Sequence, residues 1–222
     1  KERWSNQTSM YDIYKHAANW YHEQLLKSGN IEILEYAKKR WLTLDTLKNF
    51  SIWYAPNSWE LWNSLTSMWI SEEILLESGI FVWKRKDKFN GRLIFPIANF
   101  TGNIVGFTGR ILDIGEPKYL NSPASKIFNK SEILYWLHLA KSSISKLGCV
   151  IVVEWQMDTV KLHQAGFTNA VGISWTALTK EHIRFISRLT HKIYLCLDSD
   201  KAGINATFSS LDSLLGEEID TR

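Results

Sequence analysis

The sequence predicts an α/β protein in two parts: an α+β amino-terminal part over residues 1–142, and an α/β part with a central parallel sheet over residues 143–222. Three observations carry this prediction. Apolar residues recur at helical spacing through the first eighty residues. Two strand-like apolar runs then flank a short turn at Thr101-Gly102-Asn103. From residue 131 onward, helical segments alternate with continuous apolar runs, an order typical of parallel strands joined by right-handed crossovers.

The individual elements follow from the same patterns. Helical spacing predicts five helices in the amino-terminal part, the first of which ends at Gly29. The two apolar runs around the turn predict a β-hairpin. The stretch 116–130 has no periodicity and is rich in turn-forming residues, so we expect a surface loop there. The predicted helices cover 10–29, 31–40, 42–50, 58–65, 71–79, 131–146, 158–166, 179–189 and 202–216, and the predicted strands cover 89–100, 103–112, 149–154, 170–173 and 191–200.

Composition excludes several classes of protein. Hydrophobic residues make up 45% of the chain and charged residues 22%, unlike a disordered or fibrous protein. No apolar run approaches the roughly 20 residues that span a bilayer, and no signal-peptide pattern opens the sequence, so we expect a cytoplasmic protein with no membrane partner. Cys149 and Cys196 allow neither a disulfide framework nor a cysteine-rich zinc site. Their apolar neighbours predict buried thiols in strands.

Positive charge is concentrated in one stretch of the chain. The formal net charge is +3, but residues 84–130 carry nine basic and three acidic side chains. Such an excess is either a solvated surface or a groove for phosphate groups, because clustered Lys and Arg release counterions from a nucleic-acid backbone. Composition alone leaves both interpretations open.

Acidic side chains follow two of the predicted parallel strands. The run CVIVV leads into Glu154, and IYLCL leads into Asp198 and Asp200. Ligands of open parallel sheets bind outside the carboxyl ends of the strands. If the two strands are neighbours, three carboxylates share one rim, and Mg²⁺ or Mn²⁺ would neutralise them. The alternative is that each acid caps the helix that follows it, and the pattern leaves both interpretations open.

Five motifs occur in a characteristic order along the chain. They are GRLIFPI with GFTGRILD, PKYLNSP with IFNK, VIVVEWQMD, WTALT and LCLDSDKAG. In this order and spacing they resemble the RNA-polymerase core of bacterial DnaG-type DNA primases from about Tyr11 to Phe208. The carboxyl-terminal part resembles a toprim domain. The resemblance implies a nucleotidyltransferase that synthesises short RNA primers from ribonucleoside triphosphates on a single-stranded DNA template during DNA replication.

The resemblance also implies roles for nine residues. Glu154, Asp198 and Asp200 would be the catalytic carboxylates that hold Mg²⁺ or Mn²⁺ against the incoming triphosphate. Attack of a 3′-hydroxyl on an α-phosphate needs charge neutralisation and alignment more than a covalent catalyst, which fits this set. The residues that would line a basic groove for template, initiating nucleotide and growing primer are Arg92, Arg110, Lys118, Tyr119, Asn121 and Lys130.

The resemblance further implies that the sequence is a fragment of such a primase. The family carries an amino-terminal zinc ribbon and a carboxyl-terminal domain that contacts the replicative helicase of the primosome, and neither pattern occurs here. Zinc and the helicase are therefore expected to bind outside this chain. The toprim part is expected to be truncated before the family's last acidic motif, so that part of the metal site would lie outside this chain.

Tryptophan is several times more frequent than usual, with eleven residues. Six of them stand where the resembled family has glycine. Glycine is used at positive φ or where backbones approach closely, and Trp is its bulkiest replacement. One shared cause would be a gene whose UGA codons are read as glycine. The six positions are Trp41, Trp53, Trp69, Trp136, Trp155 and Trp175.

Two other functions remain open at this point. One is another toprim activity, such as topoisomerase-like or nuclease-like cleavage of DNA, although the sequence shows no separate domain with a tyrosine nucleophile. The other is a catalytically silent module that binds nucleic acid, which is favoured if the tryptophans are real.

Overall fold

The computed structural model describes residues 6–27, 31–82, 85–112, 115–174, 177–199, 201–214 and 220–221. The chain divides into two compact units, residues 1–97 with 103–128 and residues 98–102 with 129–222. This division falls earlier than the predicted boundary at residue 142, because Leu134 and Leu137 already belong to the hydrophobic core of the second unit.

Helices and strands occupy most of the described residues. The helices are α1 (Asn6–Leu26), α2 (Ile31–Lys39), α3 (Leu44–Asn49), α4 (Glu60–Ser67), α5 (Glu72–Glu77), α6 (Leu137–Leu147), α7 (Gln156–Gln164), α8 (Lys180–Ser187) and α9 (Lys201–Leu214). The strands are β1 (Trp53–Ala55), β2 (Phe81–Val82), β3 (Lys86–Asp87), β4 (Arg92–Ala98), β5 (Ile104–Ile111), β6 (Tyr119–Asn121), β7 (Val150–Val153), β8 (Ala170–Gly172), β9 (Lys192–Cys196) and β10 (Asp220–Thr221). None of the described helices is both long enough and apolar enough to cross a bilayer.

The first unit is built on a four-stranded sheet in the order β1-β4-β5-β6. β4 and β5 form the predicted hairpin. β6 lies in the stretch predicted as a loop, and it pairs antiparallel with β5. A three-residue strand is too short to show alternation in the sequence, so only its pairing with β5 reveals it.

Aromatic side chains join α1 to this sheet. Phe107 on β5 is fully buried, and its ring lies 5.3 Å from the rings of Tyr14 and Tyr21 on α1. The Tyr14 hydroxyl donates a hydrogen bond to the carbonyl of Ser78, and the Tyr21 hydroxyl donates to Asp87. Each buried phenol therefore has a partner for its polar end while its ring fills the core.

The second unit contains the predicted parallel sheet. Its strands run in the order β10-β9-β7-β8, and every described pairing in it is parallel. Val150 and Val152 of the inner strand β7 are fully buried, and they share a core with Ile144 of α6 and Ile183 of α8. A strand flanked by neighbours and covered by helices reads as a continuous apolar run, which is why the sequence predicted it.

Helix α6 begins later than predicted. The helical spacing predicts a helix from residue 131, but residues 130–132 form a 3₁₀ turn and Tyr135 forms a β-bridge with Gly172. Trp136 then has a φ of 71°, in the left-handed region, so a right-handed helix cannot pass through it. The helix starts at the next residue, Leu137.

Strand β9 is less buried than predicted. Ile193 is fully buried, whereas Lys192, Tyr194 and Cys196 share the other face and are half-buried or exposed. Cys196 is exposed and Cys149 is half-buried, so the prediction of two buried thiols is wrong. An apolar run in the sequence does not show whether both faces of its strand are covered.

His182 is a buried residue in the first turn of α8. Its backbone N–H donates to Thr179 Oγ1 at 3.1 Å, and its Nδ1 accepts from the Thr179 N–H at 3.3 Å. The two bonds form a reciprocal capping box. Burial lowers the pKa of His182 to about 4.

We expect His182 to stabilise the fold only while it is neutral. Its folded pKa lies below the ordinary value of 6.5, so this contribution is complete above that pH and is lost as the pH falls toward 4, because the unfolded chain takes up a proton that the fold resists. We compare the free energy of unfolding of the protein with that of a His182→Gln variant by urea titration. The advantage of the histidine should be about 3 kcal/mol smaller at pH 4 than at neutral pH. A difference that stays constant would contradict the buried, neutral histidine.

Candidate functional site

Glu154 and Asp198 lie at the carboxyl ends of adjacent parallel strands. β7 and β9 pair directly, with Val153 opposite Cys196. This register places Glu154 level with Leu197 and one residue short of Asp198. The Oε2 atom of Glu154 accepts a hydrogen bond from the backbone N–H of Asp198 at 3.3 Å. The two strands are therefore neighbours, as a shared acidic rim requires.

Backbone contacts on both sides hold Glu154 in place. Its carbonyl accepts a hydrogen bond from the N–H of Ser174, which follows β8, at 3.0 Å. The next residue, Trp155, is the N-cap of α7, and its own side chain forms no capping hydrogen bond. The Glu154 carboxylate reaches across to the β9 side of the rim.

The first turn of α9 packs closely on the Asp198 backbone. Asp198 is exposed, and Gly203 is buried in the first turn of α9. A Cβ added to Gly203 would lie within 3.0 Å of the N, C and O atoms of Asp198. Glycine is therefore needed at this position for the helix to approach the strand end. Asp200, the third predicted carboxylate, lies outside the described residues.

The donor chemistry at this rim suits a hard divalent cation. Glu154 and Asp198 present carboxylate oxygens, which Mg²⁺ and Mn²⁺ prefer over nitrogen or sulfur. Within the part of the chain that the structure describes, no group of three or more His, Cys, Asp or Glu side chains comes together. The described residues thus supply two of the three predicted ligands.

Arg92 is a buried arginine at the start of β4. Its Nη1 donates hydrogen bonds to the carbonyls of Pro117 at 2.9 Å and Gly109 at 3.3 Å. Burial lowers the pKa of Arg92. A Cβ at Gly109 would press on the Arg92 side chain, so this glycine leaves room for the arginine. Arg92 consequently ties β4 to the segment that leads into β6.

Arg110 lies between two tyrosines. The strand register places it directly opposite Tyr119 on β6. Its guanidinium carbon lies 4.9 Å from the centre of the Tyr119 ring and 5.9 Å from that of Tyr36 on α2, and it donates hydrogen bonds to both hydroxyls. Tyr36 was not predicted as a site residue. Helical periodicity shows which residues face the core, but it does not show which of them contacts a particular arginine.

The other predicted groove residues lie on several different elements. Neighbouring residues of a strand point to opposite faces of the sheet, so Arg110 and Gly109 are on different faces. The Arg92 side chain packs on Gly109. Arg92 and Arg110 therefore lie on opposite faces of the sheet. Lys118 is exposed immediately before β6, and Asn121 is half-buried opposite Thr108. Lys130 belongs to the second unit. Among the predicted groove residues, the structure thus brings Arg110 and Tyr119 into direct contact.

Comparison with known proteins identifies both parts of the chain. Residues 20–141 match the family described as the DNA primase catalytic core, N-terminal domain, and residues 148–222 match the toprim domain. The DNA primases of Deinococcus radiodurans and Halalkalibacterium halodurans are each 37% identical to this chain, over 96% and 94% of its length. The chain spans only 38% and 36% of those two relatives, somewhat more than a third of each.

Solved primase structures share the fold. The zinc-binding and RNA-polymerase domains of the Aquifex aeolicus primase superpose with a TM-score of 0.88 at 32% identity, covering 98% of this chain and 54% of that one. The Escherichia coli primase catalytic core gives a TM-score of 0.86 at 31% identity, with coverages of 96% and 71%. A DnaG primase catalytic domain bound to single-stranded DNA gives 0.87 at 31% identity, with coverages of 98% and 70%.

Proposed function

We propose that this chain, which belongs to the bacterial DNA primase family, is a catalytic core that synthesises short RNA primers from ribonucleoside triphosphates on single-stranded DNA. The observation that carries the proposal is the hydrogen bond from the Asp198 backbone to Glu154, which holds two acidic residues at one end of the toprim sheet. Transfer of a nucleotidyl group to a 3′-hydroxyl needs carboxylates that together bind divalent cations. It also needs cationic side chains that bind the phosphates of the nucleic acid.

The carboxylates would hold the divalent cation of the reaction. Toprim domains generally use divalent metal, and Glu154, Asp198 and Asp200 are the residues of this chain that would bind Mg²⁺ or Mn²⁺. When bound, such a cation neutralises triphosphate charge and lowers the pKa of an attacking hydroxyl. Glu154 is already oriented by the Asp198 N–H, so its carboxylate loses little freedom on binding.

Basic and aromatic side chains of the first unit would bind the nucleic acid. Arg110 is fixed between Tyr36 and Tyr119, so its guanidinium is held in one position before a phosphate arrives. Lys118 adds an exposed positive charge immediately before β6. Arginine forms directed hydrogen bonds to phosphate, while lysine acts as a point charge. Arg92, Asn121 and Lys130 complete the proposed set.

The match over residues 20–141 favours primase over the other toprim activities. That segment belongs to a family defined by primase catalytic cores, whereas a toprim domain alone would also fit a topoisomerase or a nuclease. We extend the proposal to the ribonucleotides, the RNA primer, a replicative helicase that binds outside this chain, zinc in a separate ribbon domain, and a cytoplasmic location.

A primer-synthesis assay tests the proposed function. The protein is incubated with a single-stranded DNA template, labelled ribonucleotides and Mg²⁺, and the products are resolved on a denaturing gel. We expect RNA oligomers that need both ribonucleotides and Mg²⁺. Cleavage of the template without ribonucleotide dependence would support a nuclease instead, and DNA binding without any product would support a silent module.

We expect Lys118→Ala to weaken both binding of single-stranded DNA and primer initiation. Removing one phosphate contact should lower affinity about threefold to tenfold and make the slope of log affinity against log salt shallower by about 0.7. Fluorescence anisotropy at several salt concentrations measures both quantities. Lys146→Ala, which removes an exposed lysine from α6, is the matched control and should leave them unchanged. An unchanged salt slope in the Lys118→Ala variant would exclude a phosphate contact at this residue.

A further inference from the structure

Three tryptophans have backbone conformations that favour glycine. Trp41, Trp69 and Trp136 have φ values of 61°, 62° and 71°, in the left-handed region. A side chain with a Cβ is strained there, because the Cβ comes too close to the carbonyl oxygen, and glycine avoids this strain. Of the six described non-glycine residues with positive φ, half are tryptophan, although tryptophan accounts for eleven of 222 residues.

The end of α2 shows what the backbone requires at position 41. The N–H of Trp41 donates to the carbonyl of Lys38, and the N–H of Leu42 donates to that of Ala37. This pair of bonds is the Schellman motif, in which the left-handed residue is usually glycine. The same chain ends α7 with the same pair of bonds, and there the residue is Gly166.

The end of α4 repeats the comparison. The N–H of Trp69 donates to the carbonyl of Thr66, as the N–H of Gly79 donates to that of Leu76 at the end of α5. Trp69 is 95% exposed and Trp41 is 82% exposed. Neither indole therefore gains enough burial to offset the strain of its backbone.

Trp136 occupies a third left-handed position, between the β-bridge at Tyr135 and the first residue of α6. Its side chain is buried, so packing compensates part of the strain. Trp53 lies in β1, and Trp155 has a φ of −119°, which any residue adopts. Trp175 lies outside the described residues. Backbone strain therefore marks three of the six positions at which the sequence comparison expected glycine.

We propose that residues 41, 69 and 136 are glycine in the protein that its own cells make, because their codons are UGA and UGA is read there as glycine. UGA differs from the glycine codon GGA by one base. UGA is also read as tryptophan in some genetic codes, and translation by such a code would place tryptophan at these positions. One event therefore explains three strained positions, whereas independent substitutions to the same bulky residue would each have been opposed by the backbone. The same event would cover positions 53, 155 and 175.

The stabilities of alanine and glycine variants test whether the backbone requires glycine. Glycine is ordinarily less stabilising than alanine, but at left-handed positions the order reverses. A double variant with Trp41→Gly and Trp69→Gly should have a folding equilibrium constant about five- to thirtyfold higher than one with Trp41→Ala and Trp69→Ala. Urea unfolding followed by far-UV circular dichroism measures both.

Trp59 supplies the matched control for that comparison. It is also an exposed tryptophan next to a helix, but its φ is −97°. Trp59→Gly should therefore be no more stable than Trp59→Ala. If the alanine pair at positions 41 and 69 is as stable as the glycine pair, the backbone does not require glycine and the inference fails.

Direct evidence comes from the gene and from the protein made in its native cells. We expect UGA codons at positions 41, 69 and 136, and peptides spanning these positions whose masses in tandem mass spectrometry correspond to glycine. UGG codons at the three positions, or peptides containing tryptophan there, would overturn the proposal.

Discussion

Glu154→Gln and Asp198→Asn are expected to reduce primer synthesis by about a hundredfold or more while leaving single-stranded DNA binding within about twofold. Each change removes one negative charge from the rim and keeps the shape of the side chain. In the Glu154→Gln variant the Asp198 N–H can still donate to the amide oxygen of the new side chain, so the local hydrogen bond survives and the loss reports on charge. Gel quantification of labelled primers and anisotropy with the same DNA measure the two effects.

Glu181→Gln is the control for these two variants. Glu181 is an exposed carboxylate on α8 in the same unit, and its replacement also removes one negative charge. We expect this variant to make primers at the unmodified rate. Equal losses in all three variants would mean that total charge, and not the rim, governs the activity.

Gly203→Ala is expected to impair primer synthesis about tenfold or more, although alanine normally stabilises a helix by about 1 kcal/mol relative to glycine. The added methyl group would lie within 3.0 Å of three backbone atoms of Asp198. The strand end or the helix must therefore move, and the hydrogen bond from Asp198 to Glu154 would be distorted. Steady-state primer synthesis measures the loss, and circular dichroism shows whether the fold is retained.

Asn205→Ala separates a local clash from a general effect of substitution in α9. Asn205 is exposed two residues further along the same helix, so its replacement should leave activity unchanged. If Gly203→Ala is as active as Asn205→Ala, the close packing of α9 on Asp198 has no role in holding the rim.

Much of the fold was predictable because periodicity reports directly on burial. The apolar run of β7 was predicted as a buried strand, and it is one of the two inner strands of the second sheet. The hairpin of β4 and β5 followed from two apolar runs around a turn. The adjacency of β7 and β9 did not follow from the pattern of either strand, because pairing depends on packing between distant segments.

The features that sequence analysis missed depend on backbone conformation or on single contacts. Helix α6 starts later than predicted because the backbone of Trp136 has a left-handed conformation. The spacing of apolar residues does not report the sign of φ. Tyr36 on α2 holds Arg110 on β5, and the need for glycine at position 203 comes from its approach to Asp198. Gly203 ends the LCLDSDKAG motif, but the sequence analysis assigned it no role, because its approach to Asp198 appears only in three dimensions.

Binding of Mn²⁺, followed by the electron paramagnetic resonance signal of the free ion, tests the shared carboxylate rim most directly. The protein should bind Mn²⁺, and Glu154→Gln and Asp198→Asn should each weaken this binding at least about tenfold, while Glu181→Gln should not. Unchanged Mn²⁺ affinity in both rim variants would contradict a cation held between the ends of β7 and β9.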